Sequence, residues 1–71
     1  MKIIDVSTGL WSVELANKKF RITLLENGLY EIEEFLYPKW EYLYIGTVIS
    51  FDVAKTVIAS YCYPNWLERL V

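Results

Sequence analysis

The 71-residue sequence contains no histidine, a single cysteine, three glycines and two prolines. Without histidine, the chain has no Ser-His or Cys-His nucleophile pair and none of the usual Cys/His zinc sets. Three scattered glycines cannot form a glycine-rich phosphate loop. The one cysteine, Cys62, cannot close an internal disulfide and is interpreted as a small buried hydrophobe. We therefore predict a protein that is not an enzyme and that has no cofactor and no metal site.

Long apolar runs are also absent. The uncharged stretch YLYIGTVISF has about half of the roughly 20 residues that a transmembrane helix needs, so no membrane association is predicted. The first residues lack the pattern of a signal peptide, and a lone unpaired cysteine is typical of a reducing compartment. We expect a cytoplasmic protein.

Apolar and aromatic residues are abundant, at 55% and 17% of the chain. A chain of this length forms a single domain, here residues 1–71, and buries only about 60% of its unfolded surface. The apolar excess therefore either fills an aromatic-rich core or forms a surface for a partner or an oligomer. The net charge of −2 argues against a general nucleic-acid binder, because phosphate binding rests on clustered lysines and arginines.

Alternating apolar and polar residues predict strands up to about residue 46, after which the period becomes helical. The pair Asn27 and Gly28 is the strongest short hairpin signal, because both residue types tolerate positive φ. Ser50 is the candidate N-cap of the helix. The predicted strands are about 2–6, 11–16, 20–25, 29–35 and 40–45, and the predicted helix is about 51–62.

This order of elements predicts an α+β fold, in which an antiparallel meander sheet of four to five strands is followed by one C-terminal helix packed on one face. The alternative is a small SH3-like β-barrel with the helix as a cap. The apolar stripe of the helix favours the open sheet, because the stripe needs an apolar partner. The last segment, NWLERLV, is expected to form a short turn anchored by Trp66, Leu67 and Leu70.

The predicted strand 40–45 has large apolar residues on both sides. Trp40, Tyr42 and Tyr44 alternate with a set that includes Leu43 and Ile45. If Leu43 and Ile45 pack under the helix, the three aromatic residues face outward, where such rings bind partner proteins or stack on nucleic-acid bases. The sequence leaves open which side of this strand is buried.

Two charged groups accompany the aromatic strand. A predicted basic corner at a hairpin tip comprises Lys18, Lys19 and Arg21. A predicted acidic surface comprises Glu31, Glu33 and Glu34. Charged strand residues also keep a sheet edge soluble, so a solvated surface is the simpler explanation for either group.

These observations predict a small non-enzymatic module that binds a partner protein, or itself, through an aromatic sheet face. The predicted partner-binding residues are Trp40, Tyr42, Tyr44, Lys18, Lys19 and Arg21. Two alternatives stay open. One is single-stranded nucleic-acid binding by aromatic stacking, which the net charge disfavours. The other is an acidic inhibitor of a nucleic-acid enzyme, encoded by a mobile element.

Overall fold

The computed structural model describes residues 1–64, which form an open five-stranded antiparallel sheet followed by one helix. The elements are β1 (Lys2–Ser7), β2 (Leu10–Leu15), β3 (Lys18–Leu24), β4 (Tyr30–Leu36), β5 (Glu41–Val48) and α1 (Phe51–Cys62). Each strand pairs with the next along the chain, so β1 and β5 are the two edges of the sheet. The predicted α+β meander is confirmed, whereas the barrel alternative is wrong because the sheet does not close. The turn expected at Trp66, Leu67 and Leu70 lies outside the described residues.

Helix α1 begins at a polar cap. The Ser50 side chain accepts a hydrogen bond from the backbone N–H of Val53 at 3.1 Å, and Asp52 lies in the first turn, where the helix dipole favours a carboxylate. A cap of this kind contributes about 1 kcal/mol. The helix turns its apolar stripe to the sheet, and Ala54 and Ile58 are fully buried.

The core lies between α1 and one face of the sheet. Its buried members are Val13, Phe20, Ile22 and Ile32 from the strands and Ala54 and Ile58 from the helix. Successive strand residues point to opposite faces, so the sequence neighbours of these core residues lie on the other side of the sheet. No element of residues 1–64 packs against that other side.

Strand β5 changes register in its middle. Tyr44 and Gly46 pair with consecutive residues of β4, and Ile45 between them is the extra residue of a β-bulge. Because side chains alternate with a period of two, one extra residue moves everything after it to the opposite face. Tyr42 and Tyr44 therefore point away from α1, whereas Val48 and Ile45 pack against the core.

Trp40 lies just outside this strand. The predicted strand 40–45 differs from β5, which starts one residue later and ends three residues later. Trp40 occupies the preceding turn with a φ of 58°, and its backbone N–H donates to the Leu36 carbonyl at 2.9 Å. The predicted aromatic ladder thus consists of two strand residues, Tyr42 and Tyr44, and one turn residue.

The hairpin with the shortest loop is not the one that the sequence signals most strongly. Ala16 and Asn17 form the two-residue connection between β2 and β3, with φ values of 53° and 63°, as a type I′ turn requires. Asn27 and Gly28 lie in the longer connection between β3 and β4. There Gly28 has a φ of 84°, and the Asn27 side chain accepts a hydrogen bond from the Leu29 N–H at 3.0 Å. The hairpin expected at Asn27 and Gly28 does form, but with a longer loop.

Candidate functional site

The sheet surface opposite α1 consists of three rows of cross-strand neighbours, which we call the helix-free face. Residues that pair directly on neighbouring strands point to the same side of the sheet, so the pairing register assigns each row. From β1 to β5, the first row is Lys2, Glu14, Lys19, Phe35 and Tyr42; the second is Ile4, Ser12, Arg21, Glu33 and Tyr44; the third is Ser7, Leu10, Thr23, Glu31 and Thr47.

The charges of the helix-free face balance. Its cations are Lys2, Lys19 and Arg21, and its carboxylates are Glu14, Glu31 and Glu33. Two ion pairs connect them: the Lys19 ammonium lies 3.9 Å from Glu14, and the Arg21 guanidinium lies 2.8 Å from Glu33. The face therefore carries no net charge, although the whole chain carries −2.

Arg21 lies at the centre of the helix-free face. Its Nε and Nη2 atoms donate to Oε1 of Glu33 at 2.9 and 2.8 Å, and its guanidinium carbon lies 3.6 Å from the ring centroid of Tyr42. Charge-assisted hydrogen bonds and a cation–π contact hold the planar group from two sides. Strands β3, β4 and β5 each supply one of the three residues, so the sheet register creates this cluster.

Aromatic rings form a contiguous cluster at the β4–β5 end of the face. Phe35 contacts Trp40 and Tyr42 at centroid distances of 5.6 and 5.3 Å, and Tyr37 contacts Trp40 at 5.8 Å. Trp40, Tyr42 and Tyr44 nevertheless remain 73%, 44% and 58% exposed. Exposed rings of this kind combine a large apolar area with few rotatable bonds, which suits them to binding.

A groove of about 260 Å³ opens beside the aromatic cluster. The residues that line it include Val6, Leu10, Ser12, Arg21, Phe35 and Tyr42. Lys19 also lines the groove, and because its side chain is 63% exposed we describe it as the rim. Ser12 leaves the space, because its short side chain sits next to the long Arg21 side chain in the same cross-strand row.

Sequence reasoning missed Phe35 and Ser12 as members of this site. The signal for Phe35 was its alternation with Glu31 and Glu33, which places all three on one face. Nothing in the local sequence singles out Ser12, because a serine on the polar side of an alternating strand is ordinary.

The predicted basic corner is divided between the two faces of the sheet. Lys19 and Arg21 belong to the helix-free face, whereas Lys18 points to the side covered by α1, because successive strand residues alternate. There the Lys18 ammonium lies 3.5 Å from Oε2 of Glu34. The structure thus brings Lys19 and Arg21 together with Tyr42 and leaves Lys18 apart.

The predicted acidic surface is wrong for Glu34. This residue lies on the face covered by α1 and is only 6% exposed. Glu31 and Glu33 do lie together on the helix-free face, but the Glu33 carboxylate is engaged by Arg21. The three carboxylates therefore do not form one solvated acidic surface.

Glu34 is held beneath the last turn of α1. The Tyr61 hydroxyl donates to its Oε1 atom at 2.6 Å, and the Tyr61 ring packs edge-on against Phe20 at a centroid distance of 5.8 Å. The hydrogen bond to Glu34, followed by burial, raises the pKa of the Tyr61 phenol above its ordinary value. This hydrogen bond connects the C-terminal end of the helix to β4.

Cys62 follows Tyr61 and is half-buried against β2. Its thiol lies 3.8 Å from the Leu15 carbonyl oxygen, and burial raises the pKa of the thiol. A raised pKa keeps the thiol protonated at neutral pH and lowers its nucleophilicity. Cys62 therefore contributes to packing in the described part of the molecule.

Among residues 1–64, no three His, Cys, Asp or Glu side chains are arranged to hold a metal ion. The described helix is also too short and too polar to cross a membrane. The chain matches no protein-family model, no curated protein and no solved structure.

Proposed function

We propose that this protein is a small non-enzymatic interaction module that binds a partner protein, or a second copy of itself, through the helix-free face. The observation that carries the proposal is that Trp40, Tyr42 and Tyr44 remain exposed on a side of the sheet that no described element covers, with Arg21 held against the Tyr42 ring. Tryptophan, tyrosine and arginine are the residue types that supply most of the binding energy in protein interfaces. Lys19 lies at the rim of this surface.

The rigidity of the cluster formed by Arg21, Glu33 and Tyr42 supports the same function. Arg21 is held by Glu33 and Tyr42 before any partner arrives. Ordering a mobile side chain at an interface costs about 0.5–1.5 kcal/mol, so a side chain that is already fixed binds with a smaller entropic loss. Strands also position these residues more firmly than a loop would.

Single-stranded nucleic-acid binding has less support. A groove that follows a phosphate backbone needs an excess of positive charge, whereas the charges of the helix-free face balance. Arg21 also covers one face of the Tyr42 ring at 3.6 Å, which removes that face as a stacking surface for a base. An acidic inhibitor has less support as well, because Glu33 is paired and Glu34 is buried.

The test is a comparison of two tyrosine variants. The immobilised chain is used to capture a partner from a lysate of its native host, and the captured protein is purified and titrated against the chain. Self-association of the chain is measured by sedimentation. We expect Tyr44→Ser to weaken whichever association is found by about tenfold or more. Tyr63→Ser removes an exposed tyrosine outside the helix-free face and serves as the control, with binding expected within about twofold of wild type.

Equal binding by Tyr44→Ser and the wild type would contradict the proposal. So would the absence of any association together with tight oligonucleotide binding that falls steeply with salt, because that salt dependence is typical of phosphate contacts.

A further inference from the structure

The groove on the helix-free face has the dimensions of a site for one side chain. Its volume of about 260 Å³ is below the range of about 300–1,000 Å³ that is typical of pockets for small-molecule ligands. Its walls are aliphatic at Val6 and Leu10 and aromatic at Phe35 and Tyr42. Interfaces commonly anchor a large apolar side chain in such a desolvated recess.

The rim of the groove indicates which charge lies beside that anchor. Glu14 pairs across the sheet with both Lys2 and Lys19, so its row has two cations and one carboxylate. The Lys19 side chain is 63% exposed, and its ammonium lies 3.9 Å from Glu14, which is too far for a hydrogen bond. A carboxylate placed over Lys19 would gain a shorter contact.

Arg21 is less available to that carboxylate than Lys19. Two of its five N–H groups already donate to Glu33, its guanidinium lies on the Tyr42 ring, and its side chain is 35% exposed against 63% for Lys19. Arg21 therefore acts as a fixed wall of the groove, and Lys19 is the more accessible cation at the rim.

We infer that the groove receives one large apolar side chain from a protein segment, and that an aspartate or glutamate next to it in the partner's sequence pairs with Lys19. The inference rests on the proposed function and specifies the chemistry of the partner at the same face.

The test uses four capped tetrapeptides as probes and isotope-labelled protein observed by NMR. Acetyl-Gly-Phe-Glu-Gly-amide is compared with peptides that have Gln or Lys in place of Glu, and with one that has Ala in place of Phe. We expect shifts of the Ser12, Arg21 and Tyr42 amides, with the Glu peptide binding about two- to fivefold tighter than the Gln peptide, as for an exposed ion pair. The Lys and Ala peptides are expected to bind more weakly still.

Three variants locate the binding. Ser12→Tyr fills the groove and is expected to weaken binding of the Glu peptide by about tenfold or more. Thr47→Tyr adds the same ring to the same face on β5, where neither Thr47 nor its cross-strand neighbour Glu31 lines the groove, and is expected to leave affinity within about twofold. An aromatic residue fits a strand surface at either position, and circular dichroism is used to check that both variants fold. Lys19→Gln is expected to remove the preference for Glu over Gln.

Shifts outside the groove, equal affinity for the Glu and Gln peptides, or no binding at all would overturn the inference. Self-association that Ser12→Tyr abolishes, without peptide binding, would make a second copy the occupant and would also overturn it. In each case a partner whose binding depends on Tyr44 would leave the proposed function standing, so the two failures are distinguishable.

Discussion

Replacing Tyr61 by phenylalanine removes one oxygen atom and leaves the buried Glu34 carboxylate without its shortest hydrogen bond. The distance of 2.6 Å lies in the range of about 2.5–2.7 Å for charge-assisted O–H···O⁻ bonds. Hydrogen bonds to charged groups contribute about 1.5–3 kcal/mol. The remaining contact, to Lys18, is long at 3.5 Å, so it compensates little. We expect Tyr61→Phe to lower the free energy of unfolding by about 2 kcal/mol, or the Tm by roughly 8–16 °C.

The assay is urea unfolding followed by tryptophan fluorescence, with calorimetry for the Tm. Tyr44→Phe is the matched control, because it removes the same atom from an exposed 2.7 Å contact with Thr47. Surface substitutions of this kind change stability by about 0.5 kcal/mol or less. An effect of Tyr61→Phe no larger than that of Tyr44→Phe would refute the reasoning.

A double variant separates the hydrogen bond from the buried charge. In Glu34→Leu/Tyr61→Phe, both polar partners are replaced by apolar groups, so no carboxylate is left buried without its donor. Replacing both partners of a buried hydrogen bond is often nearly neutral, whereas removing one partner is not. We expect the double variant to be more stable than Tyr61→Phe alone.

Two further predictions use the same unfolding assay. The pKa of Tyr61 is raised in the folded protein, so its stabilising contribution is complete below the ordinary phenol pKa of about 10 and is lost as pH rises through the folded-state value. Between pH 8 and about 11, wild type should therefore lose more stability than Tyr61→Phe, and parallel curves would contradict this. Gly28→Ala places a side chain at a φ of 84° and should cost about 1–2 kcal/mol, although no atom beyond the adjacent residues lies within 4 Å of the new Cβ. Gly46→Ala, with equal space and an ordinary φ, should be neutral or slightly stabilising, and equal losses for both would exclude backbone strain as the cause.

The order and type of the elements could be read from local patterns. Alternation with period two marks the strands, as in Val13 and Leu15 opposed by Glu14, and the i, i+3, i+4 stripe that contains Ala54 and Ile58 marks α1. Ser50 marks the helix start because capping depends on residues close in sequence. These signals suffice for the fold class, since a single helix after a meander can cover only one of the two faces of the sheet.

The composition of the candidate site could be predicted only in part. Tyr42, Tyr44, Lys19 and Arg21 do share one face, as alternation allows. Lys18 and Glu34, in contrast, belong to the covered side. The error for Glu34 arose because carboxylates are rarely buried without a partner, and its partner Tyr61 is distant in sequence.

The sequence by itself determined that this is a small α+β domain with abundant aromatic residues and with local patterns that are typical of strands and of one helix. Only the tertiary structure decided which rings are presented outward. That outcome depends on the β-bulge at Ile45, after which the β5 side chains point to the face opposite to the one that simple alternation would give. It also depends on the cross-strand register that brings Arg21 between Glu33 and Tyr42. Both depend on pairing between residues far apart in the chain, and a local pattern of alternation has no information about such pairing.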